Sequence, residues 1–209
     1  MTKREVDLTD EWINKIVGKA KEHNPRDYLL FRLYATKGFR RGEIVGSEAR
    51  RWDKTVRKWF HAEPNLPGLR IEDLREDGIW VQGKGWKKSE NPNPPEFVRL
   101  SKELVQLITD YVGKRKSGKI IEMDPSRVNQ LYHQYAKEAG HPDWARIHPH
   151  RTRHWGGTKA FGLEGKDDLR AANTFLRHKS MASTFRYIMK QTPEQRVKTM
   201  DMMEAEVSA

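Results

Sequence analysis

The sequence predicts a mainly helical fold with one small antiparallel β-sheet, an α+β class. Helical start and stop signals recur along most of the chain. The period changes once, over residues 64–100, where prolines, glycines and short alternating runs replace the helical stripes. With 209 residues, seven Trp, seven Phe and six Tyr, the chain can bury a core without disulfides, and it has no cysteine to make one.

The first helix opens at Thr9 or Asp10 and carries Ile13, Ile16, Val17 and Ala20 on one stripe. Asn24-Pro25 starts a second, with proline preset for the first helical turn; Leu29, Leu30, Leu33 and Tyr34 follow at helical spacing and Gly38 ends it. A short third helix is expected over 41–47, followed by a Trp-, Arg- and Lys-rich stretch to His61 with no assigned element. Pro64, Pro67 and Gly68 break the helical pattern, and Leu69 to Glu72 alternates like a strand. Glu76-Asp77-Gly78 is a hairpin turn signal, with Ile79 to Val81 returning. A basic loop, Gly83 to Lys88, follows, and Phe97 to Leu100 reads as a third strand. Ser101 opens a helix bearing Leu104, Val105, Leu107, Ile108 and Val112. Asp124-Pro125 opens another, bearing Val128, Leu131, Tyr132, Tyr135 and Ala139 and closed by Gly140. An irregular entry over 142–149 leads to His150, and a further helix spans about Leu169 to Leu176. Thr192-Pro193-Glu194-Gln195 reads as a capping box for a C-terminal helix with Val197, Met200 and Met203.

Forty Lys and Arg stand against 29 Asp and Glu, a formal charge of +11, which favours a polyanionic partner, with DNA or RNA first. No run approaches the roughly 18 apolar residues of a spanning helix. The N-terminal MTKREVDLTD has no apolar segment behind its charges, so neither a membrane partner nor secretion is expected, and the expected location is the cytoplasm, or the host cytoplasm in association with the nucleoid. The lack of cysteine excludes a thiolate nucleophile and Cys-ligated metal sites.

Taken singly, the polar candidates have plain readings: Arg40 as a solvated arginine after a helix, Lys84 as a loop lysine, His150 and Arg153 as a surface pair at i, i+3, His178 as a loop histidine, Tyr187 as core. Together they meet the needs of metal-free cleavage of a DNA phosphodiester. Arginine forks hold the nonbridging oxygens. Imidazoles share charge or protons, a lysine protonates the leaving oxygen, and a tyrosine supplies the covalent nucleophile. No paired-carboxylate cluster suited to Mg²⁺ lies near them in the sequence, so neither metal nor other cofactor is expected.

Over roughly residues 8–190 the sequence resembles the tyrosine recombinases, or phage-type integrases. Gly38-Phe39-Arg40-Arg41-Gly42-Glu43 looks like that family's first arginine box, with Arg40 catalytic and Glu43 the accompanying acid. Val81 to Lys87 resembles its β-hairpin lysine motif around Lys84. His150-Arg151-Thr152-Arg153-His154 is similar to its His-x-x-Arg-His box, and Leu176-Arg177-His178 to its Leu-Gly-His box. Tyr187 follows His178 by nine positions, the spacing of the family's nucleophile.

The resemblance implies attack by Tyr187 on the scissile phosphate to form a 3′-phosphotyrosine, with Arg40 and Arg153 on the nonbridging oxygens, His150 and His178 assisting, and Lys84 protonating the leaving 5′ oxygen. Double-stranded DNA carrying an attachment site is the implied partner, with self-association on DNA through residues after Lys190. Arg50, Arg51, Lys54, Arg57, Lys58, Lys87, Lys88 and Arg151 are the expected DNA-facing cations, a solvated face being the alternative reading for the run from Arg50 to Lys58. A type IB topoisomerase and a non-catalytic DNA-binding module stay open as alternatives. The expected organisation is a catalytic domain over 1–190 and a helical tail over 191–209. With no room for the family's N-terminal DNA clamp, the resemblance implies either a catalytic domain cut from a longer integrase, the favoured reading, or an unusually minimal enzyme. Two departures, Arg177 in place of glycine and Trp155-Gly156-Gly157 in place of Thr-Phe-Ala, are expected to touch packing more than chemistry.

Overall fold

Local caps set the helix starts. In this computed structural model, which describes residues 8–53, 55–83, 94–162, 168–178 and 180–188 (side chains of 48–53, 59–65 and 186–188 excepted), Thr9 Oγ1 accepts from the Trp12 amide to open α1 (Asp10–His23). Asn24 Oδ1 accepts from the Asp27 amide at 2.9 Å to open α2 (Pro25–Lys37), which ends at Gly38 with φ 54. The short α3 is Arg41–Val45.

The stretch between α3 and His61, unassigned from sequence, forms a hairpin: β1 (Ser47–Asp53) pairs antiparallel with β2 (Lys58–Leu66), with Trp52 opposite Trp59 and Arg51 opposite Phe60. Ser47 therefore belongs to a strand and not to the third helix, which stops at Gly46 with φ 83. Pro64 sits inside β2, which a two-stranded ribbon tolerates because each strand has an unpaired edge. The expected strand over Leu69 to Glu72 is displaced. Leu69 bonds the Ile44 carbonyl and the Ile120 amide as a buried crossing segment, residues Ile71–Asp73 form a 3₁₀ turn, and the strand β3 is Leu74–Arg75. With β4 (Gly78–Val81) and β5 (Glu96–Arg99) it makes an antiparallel sheet in the order β3-β4-β5. Residues 84–88 of the expected basic loop, the following 89–93, and the expected C-terminal helix lie outside the described residues.

Ser101 Oγ caps α4 (Lys102–Val112) and Asp124 Oδ1 caps α5 (Pro125–Glu138). A 3₁₀ turn, Trp144–Arg146, interrupts the irregular entry to α6 (Pro149–Phe161). Asp168 Oδ1 accepts from two amides to open α7 (Leu169–Leu176), and α8 (Met181–Ile188), which had no sequence assignment, follows at once.

One apolar core joins α1, α2, α4, α5 and the small sheet. Its centre is aromatic: Phe31 of α2 lies 4.4 Å from Tyr132 and 5.4 Å from Tyr135 of α5, and Tyr34 lies 5.6 Å from Tyr132, centroid to centroid. All four rings are at most 2% exposed, so the tyrosines read as stripe residues in the sequence are core residues. Packing of α7 on α6 depends on Gly156 and Gly157, where a Cβ would stand 2.4 Å from Phe175 and 2.9 Å from Leu176. The ring of Phe175 also fills the space beside Gly38, so the glycines of Trp155-Gly156-Gly157 make room for an aromatic delivered by the neighbouring helix. Among the described residues no helix is long and apolar enough to cross a membrane.

Candidate active site

The left-handed turn at Gly38 swings the chain out of α2, buries Phe39 and leaves Arg40 as the N-cap of α3. Glu43, one turn in, reaches back: Oε2 accepts from the Arg40 amide at 2.7 Å and Oε1 from Arg40 Nη1 at 2.8 Å. Its carboxylate is 1% exposed while the Arg40 side chain is 36% exposed, so the acid is the buried anchor and the arginine the presented group. Burial pushes the Glu43 pKa up, but Arg177 and then Arg40 outweigh it and hold the carboxyl below its ordinary value.

Arg153 is 3% exposed on α6, one turn beyond His150. Its Nη1 donates to the Gly38 carbonyl and its Nη2 to the Leu176 carbonyl, tying the ends of α2 and α7 to α6. His178 follows α7. Thr184 of α8, fully buried, donates to Asn173 Oδ1 at 2.6 Å, so His178 Nδ1 donates to Thr184 at 3.0 Å and carries the ring proton. Burial first, then the charges of Arg153, Arg40 and His150, push the His178 imidazole down to about 4, so it is neutral near pH 7.

Arg40, His150 and Arg153 line one cleft of about 350 Å³ together with Phe39, Asn129 and His148. Glu43 lies behind Arg40. Tyr187 stands in α8 three residues beyond Thr184, the partner of His178; its side chain is outside the described residues. Lys84, Lys54, Lys87 and Lys88 are also outside them. Of the other expected DNA-facing cations, Arg50 and Arg51 fall in β1, Arg57 and Lys58 are exposed at the hairpin turn, and Arg151 is half-buried on α6 beside His150. Arg41 borders both this cleft and a second groove of about 730 Å³ where Arg70 and Lys119 add positive charge.

Two residues not assigned to the site from sequence belong here. His148, the N-cap of α6, stacks its ring at 6.3 Å and 11° to that of His150; burial, then Arg151 and His133, lower its pKa. Its position two before His150 was the available signal. Arg177, whose departure from glycine was expected to touch packing more than chemistry, is ion-paired with Glu43 behind Arg40. Its replacement of a glycine was the signal. Among the described residues no group of three or more His, Asp or Glu side chains is arranged to hold a metal ion.

The phage integrase family profile matches residues 64–194, more than half of the chain. No curated protein sequence matches it. Among solved structures, XerA recombinase is similar at a TM-score of 0.63 and 19% identity, over 98% of this chain and 66% of that one. XerH site-specific recombinase, in a post-cleavage complex with its palindromic difH substrate, is similar at a TM-score of 0.60 and 17% identity, over 96% and 53%. The catalytic domain of bacteriophage HP1 integrase is similar at a TM-score of 0.55 and 16% identity, over 88% and 87%. The chain thus spans just under two-thirds of XerA and about half of XerH.

Proposed function

Because the chain belongs to the phage integrase family, we propose that it is the catalytic domain of a site-specific DNA recombinase, cleaving and rejoining duplex DNA through a 3′-phosphotyrosine. The observation that carries this reading is the shared setting of five groups from three distant stretches of sequence: Arg40, His150 and Arg153 on one cleft, Glu43 behind Arg40, and His178 within the field of Arg153 and Arg40.

In the proposed reaction the scissile phosphate sits between Arg40 and Arg153. Their guanidiniums neutralise charge gathering on the nonbridging oxygens as the phosphorus becomes five-coordinate. Tyr187 Oη forms the new bond to phosphorus while the bond to the 5′ oxygen breaks. The phenolic proton passes to a neutral imidazole. His178 suits that role, since Thr184 holds its proton on Nδ1 and leaves Nε2 the basic nitrogen. Lys84 supplies the proton taken by the leaving 5′ hydroxyl, and His150 donates to a nonbridging oxygen. Rejoining is the reverse, and the phosphotyrosine stores the bond energy, so no nucleotide cofactor enters. The formal charge of +11 and the basic groove beside the cleft support duplex DNA as the partner. Self-association on DNA is part of the proposal.

The test incubates the protein with nicked duplexes of randomised sequence, captures covalent protein–DNA complexes and maps the linked peptide. The expected link is at Tyr187, and Tyr187→Phe, which removes one hydroxyl and little volume, abolishes it while folding and DNA binding persist. An adduct that survives Tyr187→Phe, or that maps to another tyrosine, overturns the assignment.

A further inference from the structure

We propose that Arg177 is a positioning residue for strand transfer, fixing the Arg40 guanidinium at the cleft through the shared carboxylate of Glu43. The proposal rests on the function proposed above and adds a residue to it. Arg177 is held at φ 48, ψ 52, a left-handed conformation that glycine adopts readily and arginine does not. Such a residue persists only where its surroundings over-determine it. Here they do. Its side chain is only 6% exposed, and most of its contacts lie around Arg40: Nη2 pairs with Glu43 Oε2, Nη1 donates to the Lys37 carbonyl at 3.3 Å, and Cζ lies 4.7 Å from the Phe39 ring, while Nε pairs at 3.5 Å with the exposed Glu96 of β5.

The division of the carboxylate gives the mechanism. Glu43 Oε1 serves Arg40 Nη1, while Oε2 is occupied by Arg177 and the Arg40 amide. Without Arg177, Oε2 keeps only the Arg40 amide, and the carboxylate is free to swing toward the Arg40 fork and draw the guanidinium back from the phosphate. Because Arg177 immediately precedes His178, the same ion pair locks the loop carrying the histidine to the loop carrying the arginine.

The experiment uses duplexes recovered from the covalent capture and compares wild type with Arg177→Gly, Arg177→Lys, Glu43→Gln and the Glu43→Gln/Arg177→Gly double variant. Glycine suits the backbone at this position, so Arg177→Gly keeps a cooperative melting transition. At saturating DNA its single-turnover adduct rate is expected to fall about 10- to 100-fold, the scale of a small misplacement of a reacting group. DNA affinity stays within about twofold, since the missing interaction serves the transition state. Arg177→Lys, with the charge but not the fork, falls between. The double variant is expected to be no slower than Glu43→Gln alone, because both changes cut the same chain. A wild-type rate in Arg177→Gly, or rate losses that simply add in the double variant, overturns the proposal. A second readout needs no DNA: the side-chain nitrogen resonances of Arg40, resolved in the wild type, are expected to average in Arg177→Gly. Unchanged Arg40 resonances overturn the proposal even if the wild type forms no adduct, an outcome that separately refutes the recombinase reading.

Discussion

Tyr135 donates its hydroxyl to Asp27 across 2.6 Å of buried interior, joining α5 to α2. Asp27 is 1% exposed, and its other partners, Arg26 and Asn24, all lie on its own side of the contact. Tyr135→Phe leaves a buried carboxylate oxygen short of a donor, an expected loss of about 1–3 kcal/mol. Urea unfolding measures it. The covalent adduct should form at the wild-type rate, which separates this tyrosine from Tyr187.

Arg153→Lys keeps a charge and loses the fork. Because the two Nη groups of Arg153 serve the Gly38 and Leu176 carbonyls, the variant is expected to suffer twice. Stability falls by about 1–3 kcal/mol as a buried carbonyl loses its donor. The adduct rate falls about 10²- to 10³-fold, as for removal of one oxyanion donor. A rate loss with an unchanged urea midpoint would contradict the bracing role.

The His178 imidazole is expected to titrate at about 4, well below its ordinary 6.5. Since the unfolded chain binds this proton more readily than the folded one, the effect on stability is absent above 6.5, grows as pH falls through the interval from 6.5 to 4, and is complete below it. Imidazole resonances followed against pH give the midpoint directly, and His178→Asn should flatten the pH dependence of the urea midpoint over that interval. A midpoint near 6.5 sinks the prediction.

Gly156→Ala places a methyl 2.4 Å from Phe175 Cζ. Overpacking of this kind costs about 1–3 kcal/mol. Since α7 leads directly into Arg177 and His178, the adduct rate is expected to fall as well. Phe175→Leu in the same chain should recover both, which a defect confined to α6 would not do.

What was legible in the sequence was local. Thr9, Asn24, Ser101 and Asp124 announce their helices because a cap bonds an amide two or three residues away. The hairpin β1–β2 was not legible, since its paired residues include Arg50, Arg51, Trp52, Lys58 and Trp59, residue types whose long amphipathic side chains blur the alternation that marks a strand. At the site, Arg40, His150, Arg153 and His178 are recognisable by order and spacing. The ion pair of Arg177 with Glu43 spans 134 residues and can be known only once the chain is folded. His148 was hidden for a related reason: an N-cap histidine gains its meaning from the ring it stacks on.

The bonds of Arg153 to Gly38 and Leu176 bear on how a gene of this kind decays. A copy that no longer cuts DNA, yet persists because its folded product still binds it, remains under selection to keep Arg153, which braces the ends of two helices from within a third. Arg40, with a 36% exposed side chain at the cleft, braces no second helix and shares its buried partner Glu43 with Arg177, so it is the freer of the two to drift. In a genome littered with silent relatives, an intact Arg153 would therefore attest only to folding, and an intact Arg40 to use.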